Sequence, residues 1–98
     1  MTITKDLNDK KLTVALEGRL DTATSPELEA SLKEDIDNVT ELVFDISKLE
    51  YISSAGLRVL LSSQKIMNKQ GKMTVTGANE SVMEIFEVTG FIDILNIE

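Results

Sequence analysis

Residues 41–61 read ELVFDISKLEYISSAGLRVLL. The first six, 41–46, are nearly continuous in apolar residues and too short for a typical helix. They read as a central strand covered on both faces. Ser53 and Ser54 then stand ahead of Ala55, Gly56 and a long apolar run, and the spacing predicts a helix over 55–69. Strand, short loop and helix in this order make up the repeating unit of an α/β sheet. A serine ahead of a helix has an ordinary use, which is to cap the first turn. It has a rarer one as a hydroxyl that another protein modifies.

On the C-terminal side, residues 72–77 alternate as a strand does. Asn79 is then placed to cap a short helix carrying Val82, Ile85 and Phe86, and Gly90 to end it. FIDIL, 91–95, reads as a last strand. On the N-terminal side, residues 2–6 form a short strand followed by an Asn-Asp turn. In 11–17, Leu12, Val14 and Leu16 point one way while Thr13, Ala15 and Glu17 point the other, so the two segments open the chain as a hairpin. Thr24 and Glu27 have the spacing of a capping box, with Pro26 in the first turn. Leu28, Leu32 and Ile36 follow at every fourth position, giving a helix with a narrow apolar stripe. The fold class is α/β: a mixed, mostly parallel sheet with helices packed mainly on one face, and residues 1–98 as a single domain.

The missing residue types narrow the chemistry. With no histidine and no cysteine, the chain lacks the usual ligands of zinc and soft metals and any Ser-His or Cys-His nucleophile pair. No metal site and no cofactor are expected. A net charge of -7 opposes binding to nucleic acid, and no basic stripe offsets it. No stretch approaches the roughly 20 apolar residues of a membrane span, and the N-terminus lacks the apolar core of a signal peptide. The chain is expected to be cytoplasmic, without nucleic-acid or membrane partners. A monomer is expected, with a weak dimer as the alternative.

Set on a wheel, the second helix carries Arg58, Ser62, Lys65 and Lys69 on one polar ridge. Ala55, Leu57, Val59, Leu60, Leu61, Ile66 and Met67 fill much of the remaining circumference. That arc exceeds what a helix lying on one sheet face needs. Either the helix is deeply buried between neighbours, or part of the arc is a surface for a partner. Leu61 falls at the border between arc and ridge. Ser54 lies one turn before Arg58 on the same side, so the position could hold a phosphate: the helix N-terminus favours negative charge and the guanidinium could reach it.

The stretch LVFDISKLEYISSAGLRVLLSSQKIMNKQGKMTVTG, 42–77, resembles the centre of the STAS domain, the fold of anti-sigma-factor antagonists. VALEGRLDTATSPEL resembles the family's second strand, Gly-x-Leu-Asp loop and first helix. ESVMEIFEVTGFIDIL resembles its last helix and strand. The family pattern in the loop is Asp-Ser-Ser/Thr-Gly-Leu, with the first serine phosphorylated. Gly56-Leu57 sets the register, so the resemblance puts the phosphorylated position at Ser54, with Ser53 as the lesser candidate. Here Ala55 replaces the second hydroxyl residue, and Ser53 replaces the aspartate. Asp21 matches the family's other acidic position, near that loop.

The resemblance implies partner switching. The dephosphorylated protein binds an anti-sigma factor, itself a serine kinase with a bound nucleotide, and so frees a sigma factor. Phosphorylation of Ser54 reverses this, and a metal-dependent serine phosphatase restores it. Asp21, Thr22, Ser53, Ala55, Gly56, Arg58, Leu61 and Ser62 would form the partner-binding surface. The chain would then be a regulatory protein and a substrate of enzymes, not an enzyme. A STAS subunit of a transporter or lipid-trafficking complex, never phosphorylated, is the alternative, and the serine at 53 favours it. An enzyme or nucleotide-binding domain fits poorly, since GKMTVTG lacks the upstream glycine of a phosphate loop.

Overall fold

A computed structural model describes all 98 residues of the chain. Strand β1, Thr2–Asn8, turns through Asp9 and Lys10 into β2, Lys11–Leu20, and the two pair antiparallel. Asp9 takes the left-handed conformation that a two-residue hairpin turn demands, one of the few residue types to do so readily. Strand β3, Glu41–Ile52, runs parallel to β2, and β4, Lys72–Thr76, runs parallel to β3. The sheet order is β1-β2-β3-β4.

Helices α1, Ser25–Lys33, α2, Ser54–Gln70, and α3, Glu80–Thr89, make the second layer. Helix α2 lies against β3 and β4, α1 packs on α2, and α3 packs on β3. The core lies between the layers. Leu12, Val14, Leu16 and Leu20 of β2 and Leu42, Phe44 and Ile46 of β3 meet Leu28, Leu60, Met67, Val82 and Phe86 of the helices, all buried. Lys5 of the edge strand β1 also turns to the helix side. Its ammonium donates to Asp35 Oδ2 at 2.8 Å and to the Ser31 carbonyl at 3.0 Å, pinning β1 to the end of α1.

Four expectations need correction. The central strand is covered on one face only. Leu42, Phe44 and Ile46 are buried, while Glu41, Val43 and Asp45 between them are half-buried on a face that no helix covers. That face is polar enough to stand in water: Thr4, Ala15, Asp45 and Thr76 share one register row, and Lys11, Glu41 and Lys72 share another. Second, β3 runs on to Ile52. Its second half lies against 17–20 of β2 with register shifts, which explains why Leu49 and Ile52 break the alternation.

Third, α1 stops at Lys33. Ile36 is buried as its stripe predicted, but in a separate 3-10 turn over Ile36–Asn38, where Gln70 Nε2 donates to the Ile36 and Val39 carbonyls at 2.6 Å each. Fourth, FIDIL is not a strand. Gly90 ends α3 in the left-handed conformation, and Phe91–Asp93 curl into a 3-10 turn that packs against the core. Sheet pairing comes later, in one bridge between Val75 and Ile97. No helix is long and apolar enough to cross a membrane.

Candidate functional site

The parallel strands β2 and β3 end side by side, and their two following loops meet at one end of the sheet. Ser53 N donates to the Leu20 carbonyl at 2.9 Å, which ties the second loop to the root of the first.

In the first loop Asp21 organises the chain. Its Oδ1 accepts from the Ala23 and Thr24 amides at 3.0 Å each, and its own amide donates to Thr24 Oγ1 at 2.9 Å. Thr24 Oγ1 in turn donates to the Arg19 carbonyl at 2.8 Å. The Thr24 amide above all, with the Thr24 hydroxyl and the Ala23 amide, holds the Asp21 carboxyl below the usual carboxylate range, against a smaller cost of burial. Thr24 therefore does not close the expected capping box. It occupies the N-cap position of α1, but its side chain makes no capping bond because Asp21 and Arg19 use it.

In the second loop the cap is Ser53, not Ser54. Ser53 is extended and half-buried, and its Oγ accepts from the Gly56 amide at 3.4 Å. Serine and aspartate are both good N-caps, so the departure from the family's aspartate keeps the function of starting α2. Ser54 is the first helical residue, is exposed, and its hydroxyl makes no hydrogen bond within the chain. Gly56 is buried, and the reason for glycine is space. A Cβ there would lie 2.7 Å from Leu20 Cγ and 2.9 Å from Ile52 Cγ1, so only glycine lets α2 start this close to both strand ends.

From Ser54 a ridge runs along α2 through exposed Arg58 and Ser62. On one side a groove of about 380 Å³ opens between α1 and α2. Thr22, Ser25 and Glu29 stand on one wall, and Ala55, Arg58 and Ser62 on the other. Leu61 lies on the opposite flank and is half-buried, while Leu57 and Leu60 are buried. The apolar arc of α2 is thus mostly core. Ala55 and Leu61 keep partial exposure, and Ile66, further along, is exposed.

The structure brings Thr22, Ala55, Arg58 and Ser62 to one groove, and leaves Asp21, Ser53 and Gly56 outside its lining, where they hold the two loops. It separates Leu61 from that groove. Sequence reasoning missed Ser25 and Glu29, and also the pairing of Arg19 with Tyr51, whose ring centre lies 4.4 Å from the guanidinium. A signal existed for the last pair: each residue stands two positions before its loop, Arg19 before Asp21 and Tyr51 before Ser53.

Residues 2–98 match the family model described as the STAS domain. The chain belongs to the STAS family. A relative from Bordetella bronchiseptica, BtrV, provisionally named an anti-sigma factor antagonist, is 36% identical over 99% of this chain and 85% of its own length. Among solved structures, an anti-sigma factor antagonist from Mycobacterium paratuberculosis superposes with a TM-score of 0.88 at 24% identity, over 98% of this chain and 83% of that one. The phosphorylated form of the Bacillus cell fate determinant SpoIIAA gives 0.78 at 15% identity, over 99% of this chain and 91% of that one. At these identities the two structures establish the fold, a four-stranded mixed sheet with three helices.

Proposed function

We propose that this STAS domain is a cytoplasmic anti-sigma factor antagonist switched by phosphorylation of Ser54. Unmodified, it binds an anti-sigma factor that is also a serine kinase, and so releases a sigma factor. Phosphorylated on Ser54 by that kinase, it lets go, and a metal-dependent serine phosphatase restores it. The observation that carries the reading is the contrast within one serine pair. The Ser53 hydroxyl is half-buried and used as a cap, whereas that of Ser54 is exposed and unbonded at the first turn of α2.

The physics of the switch is local. A phosphoserine adds about -1.5 to -2 charge at neutral pH. At the start of a helix this charge suits the dipole, so the fold need not change. The cost falls on the complex, where the charge must be desolvated against a partner. A loss of ~3 kcal/mol weakens binding more than a hundredfold. Incubation with the cognate anti-sigma factor and ATP, followed by peptide mapping, tests the assignment. Phosphate on Ser54 is expected; phosphate mainly on Ser53, or none, would refute it.

A further inference from the structure

The chain has two arginines, and they are used differently. Arg19 lies over the Tyr51 ring. Arg58 is exposed on the wall of the α1–α2 groove and pairs with no carboxylate, since every ion pair in the chain is made by a lysine. Glu29, on the facing wall, is taken by Lys33 at 3.6 Å. Ser54 and Arg58 are four residues apart in one helix, which sets their Cβ atoms about 5–6 Å apart on one face. A phosphate on Ser54 would bring three acceptor oxygens within one turn of a guanidinium whose planar fork matches two of them.

We propose that Arg58 reads the state of Ser54 and passes it to the partner. With Ser54 unmodified, the guanidinium stands over the groove and pairs with a carboxylate of the anti-sigma factor. With Ser54 phosphorylated, the phosphate draws the same guanidinium back along the helix. The partner then meets a new anion and loses its cation at once, so one modification changes two charges at the interface. The inference rests on the reading of Ser54 as the acceptor, and the phosphate for its test is installed without the kinase's activity.

Phosphoserine is placed at position 54 during translation, through an expanded genetic code, in the parent and in Arg58→Gln. The second ionisation of the phosphate, followed by phosphorus NMR, lies near 6 for an unperturbed phosphoserine. In the parent it is expected about half a unit below that of Arg58→Gln, because the cation favours the dianion. Equal titration curves overturn the capture. In titrations of the unmodified proteins against the anti-sigma factor, Arg58→Gln is expected to bind about tenfold more weakly, with Arg58→Lys between the two. The fold-loss caused by phosphoserine should be about tenfold smaller in the Arg58→Gln background than in the parent. Equal fold-losses in the two backgrounds overturn the masking. If the kinase leaves Ser54 unmodified while the two titration curves differ, the capture by Arg58 is upheld and the functional reading fails.

Discussion

Helices α1 and α2 start at the same end of the sheet, beyond neighbouring strands, yet they are secured in different ways. The start of α1 is held by hydrogen bonds: Asp21 and Thr24 satisfy each other, two loop amides and the Arg19 carbonyl. The start of α2 is held by packing and by one backbone bond, from Ser53 N to the Leu20 carbonyl at 2.9 Å. Gly56 fits against Leu20 and Ile52, and the one capping bond from Ser53 is long at 3.4 Å. That network of short bonds engages the Asp21 and Thr24 side chains and leaves the exposed Thr22 hydroxyl outside it. The packed start leaves the Ser54 hydroxyl and the Arg58 guanidinium unengaged, and Ser54 is the position proposed above for modification.

The sharpest test of that contrast is Ser54→Asp. A carboxylate in the first turn suits the helix dipole, so the melting temperature should stay within a degree or two of the parent's. Affinity for the anti-sigma factor should fall by the order of a hundredfold, or ~3 kcal/mol. Thermal melts and calorimetric titration on the same sample separate the two quantities. A large drop in melting temperature would break the comparison, because Ser54 would then be structural.

Next in size is Gly56→Ala. Overpacking of this kind costs roughly 1–3 kcal/mol, and chemical denaturation should find a loss in that range. A neutral result would mean that α2 does not depend on close approach to the strand ends. Asp21→Asn should destabilise less, and its effect should depend on pH. The Asp21 carboxyl is held below its ordinary value in the folded protein. Its contribution is therefore complete above about pH 4, the ordinary range, and is lost as pH falls through the lowered folded value. The difference in melting temperature between parent and Asp21→Asn should be widest near pH 7 and shrink in acid. A constant gap would assign the loss to something other than the charged carboxylate.

The smallest effect belongs to Ser53→Ala. Loss of an N-cap costs about 0.5–2 kcal/mol, and a capping bond of 3.4 Å belongs at the low end. Denaturation should register ~0.5 kcal/mol, with phosphorylation of Ser54 intact in a kinase assay. Abolished phosphorylation in this variant would reverse the roles of the two serines.

Part of the fold and of the site was legible in the sequence. The resemblance to the STAS family, through Gly56-Leu57, singled out Ser54, and the alternation of Leu12, Val14 and Leu16 gave β2 its buried face. What stayed hidden depends on long-range partners. FIDIL has the composition of a strand, but Gly90 reverses the chain, and Phe91, Ile92 and Leu95 go to the core while Ile94 stays exposed. The second half of β3 pairs in a shifted register that skips Glu50, so no periodicity announces it. The groove joins Glu29 to Arg58 across nearly thirty residues, and no local pattern reports a pairing of helices. Which serine caps was ambiguous for a simpler reason: both residues are good caps, and only the backbone angles of Ser53 decide.

Lys5 adds a constraint of another kind. Strand β1 offers an unpaired edge, and free edges invite copies of a chain to add to one another. A cation turned inward from that edge, already committed to Asp35 and Ser31, makes such growth unfavourable. A regulator that acts by sequestering its target works by stoichiometry: each molecule lost to a stack is one target left free. If the chain acts as proposed, the residue that seats the first strand, by discouraging stacks, keeps the effective dose equal to the number of chains made.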